Sequence, residues 1–99
     1  MDFDFTGEVI EWRGPAPYYF VRIPEDLTEP IKVAAKGLEY WGQVAVFARI
    51  GDTDFTTALF PKDGAYLVPL KAAVRRAEGL EYGEPVEIGL TVARGEPPG

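Results

Sequence analysis

The chain has 99 residues, 46% of them hydrophobic, and sixteen acidic against ten basic side chains give a formal charge of −6. That is one domain's worth of sequence with ample apolar and aromatic material for a core. It holds no His, Cys, Ser or Asn, which excludes Ser–His and Cys–His triads, zinc sites of Cys and His, and any disulfide framework.

The acidity also argues against the basic footprint that a nucleic-acid binder uses to neutralise phosphates. No apolar run approaches the roughly 18–20 residues of a membrane-spanning helix. The start, "MDFDFTGEVIEW", is acidic and lacks the basic and apolar regions of a signal peptide. The expected location is therefore cytoplasmic. Depletion of Asn, Gln, Cys and Met also fits a thermophilic source.

The first strand is expected over "FTGEVIEW", residues 5–12, with apolar side chains on both faces. "RGPAP" then breaks the pattern as a loop, and "YYFVRI" (residues 18–23) is a second strand. Pro24 is placed to open a helix. Leu27, Ile31, Ala34 and Ala35 could share one helical face. Pro30 should interrupt that helix, leaving a turn, a kink and a second piece that ends at Gly37.

"QVAVFARI" (residues 43–50) is the next strand, "GDTD" a turn, and "FTTALF" (residues 55–60) another strand. "PKDG" turns the chain into "AYLV", residues 65–68. Pro69 is expected to begin the second helix, with Leu70, Ala73, Val74 and Ala77 forming one apolar stripe. Lys71, Arg75 and Glu78 lie off that stripe, toward solvent. Gly79 supplies the left-handed stop, and Leu80 folds back on the helix end. "EPVEIGLTV" (residues 84–92) alternates as the last strand, before the tail "ARGEPPG".

The word Gly-Leu-Glu-Tyr occurs twice, at residues 37–40 and 79–82. Around it recur Phe-Thr, strand, turn, strand, Pro, helix, and then a further strand. This order predicts an internal duplication, with pseudo-repeats of about 3–50 and 53–92 in one domain of residues 1–94. Residues 95–99 are expected to be a disordered tail. The repeated word itself reads as a helix exit used once per half, in which Leu38 and Leu80 close the apolar stripe and Gly42 and Gly83 turn the chain into the next strand.

The stretch "YLVPLKAAVRRAEGLEYGEPVEI" resembles the half-motif of AbrB-like swapped-hairpin proteins, which build a double-split β-barrel from two chains and often bind DNA or act as antitoxins. The segments "FTGEVIEW", "YYFVRIP" and "FTTALFPKDGAYLVPLKAAVRRAEGLEYGEPVEI", with their spacing, resemble the bacterial domain of unknown function 1905 family more closely, over about nine-tenths of the chain. That resemblance implies a mainly β fold: a small double-split β-barrel with two short helices and an internal pseudo-twofold in one chain. It implies no activity. "GDTD" stands where a Gly is expected before Phe55, and the first helix carries Pro30 and extra residues.

Lys62, Lys71, Arg75 and Arg76 are the nearest approach to a basic cluster, with Tyr66 alongside, and could hold a small anionic ligand. The competing reading is an ordinary solvated helix face. Arg22 and Arg49 sit in otherwise apolar strands and should pair with Glu8, Glu11 or Glu87, contact a ligand, or guard an exposed edge. Asp52, Asp54 and Asp63 suit turns better than a cation site. Trp12 and Trp41 could stack on a flat ligand, but core or barrel-end packing suits a small barrel better.

Three functions compete on these residues. The first is a non-catalytic module binding a small anionic ligand or a protein partner, with no cofactor or metal, as a monomer or homodimer. The second is an AbrB-like DNA-binding regulator, disfavoured by the charge. The third is an enzyme using Lys, Tyr or carboxylates, for which the composition gives little material.

Overall fold

A computed structural model describes residues 2–12, 18–38 and 42–93. Six strands, β1 (Phe3–Trp12), β2 (Tyr18–Arg22), β3 (Val44–Ile50), β4 (Thr53–Lys62), β5 (Ala65–Leu70) and β6 (Pro85–Val92), alternate with two short helices, α1 (Thr28–Ala35) and α2 (Ala72–Glu78). The strands close into a barrel in the order β1-β2-β5-β4-β3-β6, and every neighbouring pair is antiparallel. The mainly β barrel with two short helices is the fold class that the family resemblance implies.

Exchanging β1 with β4, β2 with β5 and β3 with β6 leaves this cyclic order unchanged, traversed in the opposite sense. β3 pairs only with β4 and β6, and β6 only with β1 and β3. Each half of the chain thus hands its third strand wholly to the other half.

The interior is aliphatic. Val9 pairs with Val21 and Val21 with Val68, a row across three strands that is fully buried. β6 follows its alternation, with Val86, Ile88, Leu90 and Val92 all buried. Gly7 shares the inward phase of Val9, and a Cβ there would collide with Val21 Cγ1 and lie 3.1 Å from the Arg22 carbonyl. Glycine leaves the room that the neighbouring strand fills.

The helices depart from expectation in instructive ways. Pro24 caps a single 3-10 turn, Glu25–Leu27, and α1 follows directly. Pro30 is the third residue of α1, where the backbone N–H has no intrahelical partner in any case, so no ladder bond is broken. The irregularity falls before it, at the 3-10 to α junction. Ile31 and Ala35 are buried against the barrel.

Pro69 does not start a helix; it lies in β5 opposite Phe20. The Ile23 N–H donates to the Tyr66 carbonyl, so in this ladder Phe20 and Pro69 fall at a non-hydrogen-bonded pair, where Pro needs no donor. On its other side the pairing with β4 ends at Leu67. The missing N–H therefore costs nothing, and the strand runs on to Leu70.

The helix starts at Ala72, and its inward face is not the expected stripe. Val74 is buried, but Ala73 and Ala77 are exposed, while Arg75 and Glu78 are half-buried. Leu70 is buried as a strand residue. The Asp63–Gly64 turn between β4 and β5 has φ of 51° and 80° at its two central residues, the double left-handed geometry of a tight hairpin. Pro61 and Lys62 therefore belong to β4 and not to the turn.

Candidate functional site

β1, β2, β5 and β4 carry a second set of apolar side chains on their outer face. The register sets Ile10 beside Phe20, Trp12 beside Tyr18, and Leu67 between Arg22 and Phe60. Phe20 meets Trp12 and Phe60 edge-on, with ring centroids 6.3 and 5.8 Å apart. These contacts bury Phe20 and Leu67 on the outside of the barrel. Trp12 remains 51% exposed, and Tyr18 and Tyr82 are 64% exposed.

Ile10, Glu11, Trp12, Phe20, Leu67 and Tyr82, with Arg22, Lys62 and Asp63, line a cleft of about 500 Å³, within the size range of small-molecule sites. Tyr82 is brought there by the segment before β6, whose Gly83 N–H donates to the Val9 carbonyl at 2.8 Å while Val9 donates to Glu84 at 2.9 Å. The Lys62 ammonium stands 4.0 Å from the centre of the Trp12 ring, a cation–π contact. Among the described residues Lys62 makes no ion pair.

A smaller groove of about 420 Å³ lies between β2, β5 and α2, lined by Tyr18, Tyr19, Thr57, Pro69, Leu70, Lys71, Ala72 and Arg75. The Arg75 guanidinium lies 3.9 Å over the Tyr19 ring. A third depression, about 650 Å³ over Asp4, Thr6, Arg49, Glu87 and Gly89, has Phe5 as the aromatic residue of its lining.

The residues singled out from sequence are thus divided among four places. Lys62 and Arg22 share the Trp12 cleft; Lys71 and Arg75 share the groove beside α2; Arg49 lines the third depression; Tyr66 is buried in the core. The expected cluster of Lys62 with Lys71, Arg75 and Tyr66 does not form, because β5 separates the turn from the helix and turns Tyr66 inward. Lys71 caps α2 in an extended conformation instead of sharing its face.

Arg22 and Arg49 do form ion pairs, but not with the acids expected. Arg22 meets Glu25 at 3.0 Å and donates to the Asp63 carbonyl at 3.2 Å. Arg49 meets Asp54, its cross-strand partner, at 3.0 Å. Asp54 thereby belongs to a strand pair, and among the described residues no group of three acids is placed to hold a metal ion.

Trp12 was readable from sequence as a core residue, and the structure instead exposes half of it. Aromatic character alone does not distinguish the two faces of a strand; its phase opposite Val9 did carry that signal. Trp41, the "RGPAP" loop and the tail lie outside the described residues. Among the described residues no helix is long and apolar enough to cross a membrane.

Fold and site together define a small closed β-barrel with a ligand-sized aromatic cleft on its outer face. No curated protein matches the chain. The family model described as domain of unknown function (DUF1905) matches residues 5–90, and the chain belongs to that family.

Proposed function

We propose that this barrel, of the double-split kind, is a non-catalytic cytoplasmic binding module. Its outer cleft takes a small planar aromatic ligand that carries a negative charge. The observation that supports this reading is the half-exposed Trp12 with an unpaired Lys62 ammonium at its face, above a floor of Phe20 and Leu67. An exposed indole continuous with other apolar side chains marks an interaction surface more than a lone exposed ring does. Lys62 has a flexible stem, so its ammonium can leave the ring and meet an anion while a flat ring stacks on Trp12. Arg22 is held by Glu25 and contributes field more than contact.

The alternative of DNA binding gains little from this arrangement, because the cations occupy separate depressions on an acidic chain. A gel shift at low salt should show no retarded species.

The binding test is ligand-observed NMR with a panel of planar aromatic acids and their neutral amides. Binding of acids over amides is expected, lost in Trp12→Ala and weakened about tenfold in Lys62→Ala. Equal binding by Trp12→Ala and the parent protein, or no binding by any of the panel, rejects the reading.

A further inference from the structure

We propose that the groove between β2, β5 and α2 is a second, separate site that takes a small oxyanion, a carboxylate or a phosphate, borne on an apolar body. The inference starts from Arg75. Its Nε is buried and has no hydrogen-bond partner, and among the described residues its guanidinium makes no ion pair. Arg22 and Arg49 each hold a carboxylate at 3.0 Å. A cation left uncompensated is unexpected in a chain of charge −6.

The acid nearest along the helix is turned elsewhere: Glu78 accepts a 2.6 Å hydrogen bond from the Thr53 hydroxyl and packs over Gly51. No internal partner for Arg75 is therefore within reach on its own helix. The guanidinium carbon lies 3.9 Å from the centre of the Tyr19 ring, a cation–π contact that holds the group in place and leaves recognition to its N–H groups. Those in-plane donors match an oxyanion in geometry as well as charge.

The rest of the groove completes the description of the ligand. Lys71 adds a second cation and Thr57 a hydroxyl, while Tyr18, Pro69 and Leu70 supply apolar walls. A free inorganic ion would leave those walls unused. An oxyanion attached to a ring or short hydrocarbon would use both.

The test follows the Arg75 Nε–H signal by NMR in the intact protein during titration with benzoate, phenyl phosphate, inorganic phosphate and phenol. Benzoate or phenyl phosphate should shift it, and which of the two binds tighter distinguishes a carboxylate from a phosphate site. Arg75→Gln should weaken binding about tenfold or more, as read by calorimetry. Lys71→Ala, which leaves the Tyr19–Arg75 stack in place, should weaken it several-fold. The titration repeated in the Trp12→Ala background should give the same Arg75 shift, which separates this site from the outer cleft. An Arg75 signal unmoved by both aromatic anions overturns the proposal. So does unchanged affinity in Lys71→Ala together with Arg75→Gln, or an equal shift from inorganic phosphate alone.

Discussion

The exits at Gly37 and Gly79 are written with the same four letters and are built differently. Both glycines take positive φ, 82° and 62°, a conformation that costs a Cβ-bearing residue about 1 kcal/mol or more. After Gly79, the Gly79 and Leu80 N–H groups both reach back to the Arg75 carbonyl, the second at 2.9 Å, and the Leu80 side chain packs on the core, a left-handed helix stop with its hydrophobic contact. After Gly37, the Leu38 N–H closes only a shorter loop to Ala35 at 2.8 Å, and the side chain is 43% exposed.

The glycine sets the turn, and what lies beneath the turn decides what leucine does. The helices differ in the opposite sense. α1 docks through buried Ile31 and Ala35, α2 through Val74 alone, helped by the polar Arg75 and Glu78. The helix that is less deeply docked is the one beside the proposed anion groove.

This contrast can be broken at several points, all read by urea denaturation. Ile31→Ala should cost about 2–5 kcal/mol, against roughly 1–2.5 for Val74→Ala, because the first is the wholly enclosed anchor of its helix. Equal losses would mean that the helices are docked alike.

Gly51→Ala should cost about 2 kcal/mol, since φ is +56° and the new Cβ would displace Glu78 from Thr53. Gly79→Ala, where the space is open, should cost only about 1 kcal/mol. Leu80→Ala should lose about 1 kcal/mol and Leu38→Ala close to nothing. Identical values would restore the symmetric reading of the repeated word. The smallest effect belongs to Arg49 and Asp54, an exposed pair whose double-mutant coupling should be about 0.5 kcal/mol and fall with salt.

The strands were legible where burial alternates on one residue type. Val86, Ile88, Leu90 and Val92 announce β6 without help from any neighbour. Pro69 was misplaced because its tolerance in a strand depends on where β4 stops pairing, which no local pattern encodes. The face of α2 was misjudged for the same reason: once the helix begins at Ala72, the stripe counted from Leu70 no longer exists. The candidate site was partly legible. Lys71 and Arg75 do share a groove, while Lys62, near them in sequence, is carried off by the register of β4 with β5. Trp12 faces outward by its phase opposite Val9, but how much of it stays exposed depends on what else covers that outer face.

A strand order that survives exchange of its halves is one that two separate three-stranded chains could also assemble, each lending its last strand to the other. As two molecules, that ring would form at a rate and yield set by concentration. The turn at Gly51–Asp52 joins the pieces, so closure becomes intramolecular and dilution no longer opposes it. Two residues of turn thereby let one chain close the ring by itself, and the same turn, held against α2 by Glu78, ties that join to the helix flanking the proposed anion groove.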